Sequence, residues 1–162
     1  MLKSLRIGDI GETFACETFK AAGIEADKNE DKEQREFFDL VCKVGRKKFT
    51  CEVKHDVMAQ KTGNIAIEFY NSKSCKDSGI NVTTADLWIH ILQDDANKTM
   101  WVASVKEFKA FIKDNPPHRT VTDVGDNNAC LYLYKEDVLL GTVFHRCETL
   151  DEKGLKKLIR RS

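Results

Sequence analysis

Proline is nearly missing from this chain of 162 residues, with two against nine glycines, which excludes collagen-like and proline-rich extended architectures. Net charge is missing as well. The 26 Lys and Arg residues balance 26 Asp and Glu, so the protein is not built to coat nucleic acid by bulk charge, although a local basic surface stays open to it. No apolar run approaches the length that crosses a bilayer, and the opening Met1-Leu2-Lys3-Ser4-Leu5-Arg6 lacks the apolar stretch of an export signal. A soluble, cytoplasmic protein is therefore expected. The six cysteines fall singly, with no Cys-x-x-Cys and no Cys/His pair at zinc spacing, the pattern of reduced, buried thiols. Internal repeats, low-complexity tracts and linkers are absent too, and a single domain over residues 1–162 is expected.

What is present is a regular hydrophobic pattern, 41% of the residues. Helical spacing predicts a first helix from Asp9 to Ala22, with Asp9 as N-cap, Ile10, Phe14 and Ala21 on an apolar stripe, and Gly23 as the stop. A polar loop follows at Asn29 to Glu33. Alternation then predicts strands at Arg35 to Val44, Lys47 to His55 and Asn64 to Tyr70. The apolar run Ala85 to Leu92 is expected to be a strand covered on both faces. Shorter strands are expected at Lys98 to Ala103, Cys130 to Tyr134 and Thr142 to Cys147. Helices are expected at Ser104 to Lys113 and, strongly basic, at Asp151 to Arg161. The sum is an α/β domain, a central sheet with helices packed on it.

Gly45-Arg46 suits a two-residue hairpin turn. If Val44 faces Lys47, then counting outward places Asp39 across from Glu52. Leu40, Cys42, Val44, Phe49, Cys51 and Val53 then form one apolar face, while Asp39, Glu52 and Lys54 share the other. Directly opposed like charges are destabilising unless a cation lies between them. Magnesium takes one or two carboxylates plus waters and phosphate oxygens, and Lys54 would stand beside it to steady a phosphate oxygen or an attacking water. Phe37 and Val41, flanking Asp39 on the same face, would half-cover it. A solvated strand face with a lysine offsetting two acids is the alternative.

Phe38-Asp39 followed by Glu52-Val53-Lys54 resembles the PD-(D/E)XK nuclease superfamily, and with the glycine-turn hairpin and Glu12 upstream it is most similar to the archaeal Holliday junction resolvases and their viral relatives. The similarity covers roughly residues 1–92; Phe38 stands where the proline of the superfamily name would be. The resemblance implies a restriction-endonuclease-like mixed sheet flanked by helices and a homodimer acting on branched DNA in recombination or repair. It implies magnesium, with manganese as a substitute, on Asp39, Glu52 and the Val53 carbonyl, with Lys54 positioning the water and Glu12 completing the acidic cluster. Read alone, Glu12 is equally a first-turn glutamate favoured by the helix dipole. Other superfamily nucleases, of restriction, repair or nicking type, and a non-catalytic DNA-binding subunit remain the alternatives.

Glu68 faces away from Ile65, Ile67 and Phe69 and is either an exposed strand glutamate or a further acid of the same pocket. Asp86 is expected to cap the start of its strand. Phosphate contacts are expected from Arg46, Lys47 and Lys48 at the hairpin tip, from Lys73, Lys76 and Ser78 in the loop after Tyr70, and from Lys156, Lys157, Arg160 and Arg161 on the last helix. His55 follows Lys54 but should point to the other face.

Overall fold

The computed structural model describes residues 2–95, 97–125 and 128–161. Helix α1 (Leu2–Ala21) buries Ala15, Cys16 and Phe19. It closes where Gly23 takes a φ of +77°: the Gly23 N–H donates to the Lys20 carbonyl and the Ile24 N–H to that of Phe19, a closure that favours glycine. The helix begins well before Asp9, so Asp9 is not its N-cap; its carboxylate instead accepts from Lys28. Ile10 is 41% exposed, and the buried stripe runs one position later through Gly11, Ala15 and Phe19.

Strands β1 (Glu25–Lys28), β2 (Leu40–Val44) and β3 (Lys47–Asp56) form an antiparallel meander. The turn has the expected two residues, with Gly45 at φ +61° and Val44 opposite Lys47. All six residues of the expected apolar face are buried. The strand expected from Arg35 starts only at Leu40, because Asp31 accepts the N–H groups of Glu33, Gln34 and Arg35 and holds that segment in turns. Phe37 and Val41 are 37% and 42% exposed, and Asp39 beside them is half-buried.

Helix α2 (Ala59–Thr62), β4 (Asn64–Asn71) and the two-residue β5 (Lys76–Asp77) precede β6 (Leu87–Asp94), which pairs in parallel with β3. Next come β7 (Asn97–Ser104), antiparallel to β6, and α3 (Val105–Asp114), capped by the Ser104 hydroxyl, which accepts from the Glu107 N–H. β8 (Arg119–Val124), β9 (Ala129–Lys135), α4 (Glu136–Leu139), β10 (His145–Arg146) and α5 (Glu152–Arg161) complete the chain. The strand expected over Thr142 to Cys147 shrinks to β10, because residues 139–144 fold back with the Phe144 N–H on the Leu139 carbonyl.

Among the described residues the strands make two sheets, a mixed one in the order β1-β2-β3-β6-β7-β10 and an antiparallel one in the order β5-β4-β9-β8, with five α-helices around them. This is a single α/β domain. One face of the mixed sheet packs on α1 and on Leu155, Leu158 and Ile159 of α5. Its other face, with Trp88, Leu92 and Ala103, meets Val105 and Phe108 of α3 and the second sheet through Ile65, Ile67 and Tyr134. No helix among the described residues is long and apolar enough to cross a membrane.

Candidate functional site

A cavity of about 640 Å³ opens between the N-terminal half of α1, the end of β3 and the outer face of the second sheet. Glu12, Asp39, Val53, Lys54 and Glu68 all line it. Each arrives for a local reason. Gly11 brings α1 so close that a Cβ there would stand 2.7 Å from the His55 Cβ, which carries Glu12 to the cavity. His55 fastens the same contact, donating from Nδ1 to the Ile7 carbonyl at 3.0 Å while Nε2 meets Gln93 Oε1 at 2.8 Å. Asp39 sits just before β2, its N–H on the Cys51 carbonyl and its Oδ2 accepting the Val53 N–H at 2.7 Å. Glu52 and Lys54, two apart on β3, point the same way, and the Lys54 Nζ is 3.2 Å from Glu52 Oε1. Glu68 reaches in from β4 on the second sheet.

These charges are withdrawn from water and press on one another. Glu52 is only 7% exposed and does not line the cavity itself; burial, with the charges of Asp39 and Glu68, pushes its carboxyl up to about 7 against the pull of Lys54. Burial also raises Asp39, held back by the Val53 N–H, Lys54 and Arg35. Burial and then the Asp39 charge raise Glu12, against Lys28 and Arg35. For Lys54, burial works against the ammonium, but Glu52, Glu68 and Asp39 outweigh it and raise its pKa. The ammonium is thus held charged, which suits it to stabilising anionic oxygen and not to removing a proton from water. Beneath it lies the Trp88 ring, 5.9 Å from Nζ to centroid.

Asp39, Glu52, Lys54, Glu12 and Glu68 are thus brought together. The basic and serine residues proposed for phosphate contact are not in the cavity. Arg46 and Lys48 are exposed and Lys47 half-buried at the hairpin tip, Lys73 and Lys76 are exposed near β5, and Ser78 is half-buried. On α5, Lys157 and Arg160 are exposed and Lys156 pairs with Glu152; the side chain of Arg161 lies outside the described residues. Asp86 does cap a strand, accepting from the Thr50 N–H at 2.8 Å. His55 points to the face of β3 opposite Lys54, as expected, toward Ile7 and Gln93, and borders the cavity from there.

Sequence reasoning missed two groups. One is the buried row Asp56, His90 and Trp88: the Trp88 indole N–H donates to His90 Nδ1 at 3.3 Å, and His90 Nε2 stands 3.5 Å from Asp56 Oδ2. Burial would raise Asp56, but His90 and the N–H groups of Met58 and Ala59 lower it on balance. The other is the apolar wall of Val121, Val124, Leu131 and Leu133. The parallel β3–β6 register, which sets Lys54 beside His90, could not be counted from a turn as the hairpin could.

No protein-family model, curated protein or solved structure matches this chain. Carboxylate and carbonyl oxygens are the ligands that a hard cation takes. Among the described residues no three His, Cys, Asp or Glu side chains converge closely enough to hold an ion alone, but magnesium needs only one or two carboxylates, with water and phosphate oxygens completing its shell. Carboxyls raised by burial and mutual repulsion are relieved by such a charge; Asp39 faces the cavity, and Glu52 stands behind it against Lys54.

Proposed function

We propose that the protein is a metal-dependent DNA endonuclease of the PD-(D/E)XK kind that hydrolyses phosphodiester bonds, selecting branched DNA and working as a homodimer. The observation that carries this reading is the Lys54 ammonium, kept charged 3.2 Å from Glu52 at the floor of an open cavity that Asp39, Glu12 and Glu68 also face.

Hydrolysis adds a water oxygen to phosphorus, breaks the bond to the leaving strand and gives that strand's oxygen a proton. Lys54, already protonated, donates a hydrogen bond to a phosphoryl oxygen and offsets the charge that grows there. Glu12, half-buried with a raised pKa, takes the proton released by the water. Asp39, Glu52 and the Val53 carbonyl would hold magnesium, which supplies Lewis-acid stabilisation and a more acidic water. Arg46 and Lys48 lie four to six residues before Glu52 on the exposed hairpin, within about 20 Å along the strand, where they meet phosphates farther along the same arm.

The test is incubation of labelled four-way junction, flap, linear duplex and single strand with magnesium or EDTA, beside Asp39→Asn and Lys54→Ala. Magnesium-dependent cutting of the junction, lost by at least a hundredfold in both variants with DNA still bound, is the expected result. Equal activity in the variants removes the site, and cutting all duplexes alike removes the preference for branches.

A further inference from the structure

We propose that the cavity beside Lys54 receives the base of an unpaired nucleotide, so that the strand cut is one with an unstacked base next to the scissile phosphate. The inference rests on the hydrolase reading and adds its substrate class.

The cavity has two unlike sides. Lys54, Asp39 and Glu12 stand on one. The other is the outer face of the second sheet, where directly opposed residues share a side: Val121 opposes Leu131, which opposes Glu68, and Leu133 opposes Ala66. A continuous duplex exposes sugars, phosphates and the polar edges of its bases, and keeps the apolar base faces stacked inside. A phosphate against Lys54 would then set its neighbours on Val121, Leu131 and Leu133, which offer no donor, and burying polar oxygen there is costly. A base turned out of its stack presents an apolar face that covers the same wall. At about 640 Å³ the space lies in the range that encloses a small molecule.

A polar atom for the base edge is already there. Of the buried side-chain polar atoms without a hydrogen-bond partner among the described residues, one belongs to a cavity residue with no charged group facing it, Asn64 Oδ1; His90 Nε2 is turned toward Asp56 Oδ2, 3.5 Å away. Such atoms are rare in folded proteins. Asn64 donates through its amide nitrogen to the Thr62 carbonyl and leaves Oδ1 as an acceptor. The Watson–Crick edge of every base carries a donor, so this contact holds a base without selecting one. At the rim, exposed Arg119 opposes Leu133 and exposed Lys135 opposes Asn64, placing cations for the flanking phosphates.

The probe is a labelled duplex with one unpaired 2-aminopurine, compared with the fully paired duplex and with single-stranded DNA of the same sequence. Cleavage in magnesium next to the unpaired base at least tenfold faster than in the paired duplex is expected, with a change in 2-aminopurine emission on binding in EDTA. Leu133→Trp, which narrows the cavity at its apolar wall, should weaken both. Asn64→Ala should weaken binding of the unpaired probe about fivefold, the size of one hydrogen bond, and decides the matter if Leu133→Trp does not fold. Cutting of paired and unpaired duplexes at one rate overturns the inference and leaves the hydrolase standing. Absence of cutting on every substrate overturns the hydrolase and takes the inference with it.

Discussion

A carboxyl held near 7 in the folded chain, against an ordinary 4.5, makes Glu52 a cost that depends on pH. Between those values the folded state binds more protons than the unfolded one, so stability falls as pH rises through that window and stays low above it, by roughly 3 kcal/mol for this group. In Glu52→Gln the fall should shrink by about that amount, leaving the part due to Asp39 and Glu12, and denaturant titrations at pH 5 and pH 8 measure it; parallel losses in both proteins would defeat the assignment. Asp39 has a second duty, because its Oδ2 accepts the buried Val53 N–H. Asp39→Ala strands that donor and should cost about 1–3 kcal/mol, whereas Asp39→Asn keeps an acceptor and should cost clearly less by the same urea titration. Loss of cutting in Asp39→Asn therefore reports chemistry, and loss in Asp39→Ala mixes chemistry with folding.

Helix α1 shows what one missing side chain can do. A Cβ on Gly8 meets nothing within 4 Å, while one on Gly11 would stand 2.7 Å from His55. Gly8→Ala should stabilise by up to about 1 kcal/mol through helix propensity. Gly11→Ala should lose more than that to overpacking, about 1–3 kcal/mol, and push Glu12 out of the cavity; opposite shifts in urea midpoint check the pair. Much of this element-level structure was legible beforehand. A two-residue turn fixes register by counting, so the β2–β3 hairpin and its buried face follow from Gly45-Arg46 alone. The triad of Asp39, Glu52 and Lys54 came with it. Illegible were β1, which buries only Ala26 and half-covers Lys28, and β8, which has no fully buried residue. Alternation marks a strand but not the sheet it joins, and so Glu68 could be given a face but not a place across the cavity. The unpartnered Asn64 Oδ1 and the His90–Asp56 pair are products of tertiary packing and leave no local trace.

On the scale of the molecule, Asp39, Glu52 and Lys54 belong to the mixed sheet and its edge, Glu12 to α1, and Glu68 with the wall to the second sheet. Cation binding at Asp39 and Glu52 should stabilise the folded chain. At pH 8, where Glu52 is ionised, magnesium should raise the melting temperature by several degrees at saturating concentration, since a ligand at a hundred times its dissociation constant adds about 2.7 kcal/mol. At pH 5 the shift should shrink, and the Asp39→Asn, Glu52→Gln double variant should show none by differential scanning calorimetry; an undiminished shift would place the ion elsewhere. The sheets also differ in when they can exist. The β2–β3 hairpin closes over neighbouring residues, but β4 finds its partner β9 only after the whole of β6, β7 and α3 has intervened, and such distant pairings form slowly. During synthesis on the ribosome, the charged cluster accordingly emerges long before Leu131 and Leu133, and a nascent chain halted ahead of Arg119 would display its charged groups without a roof.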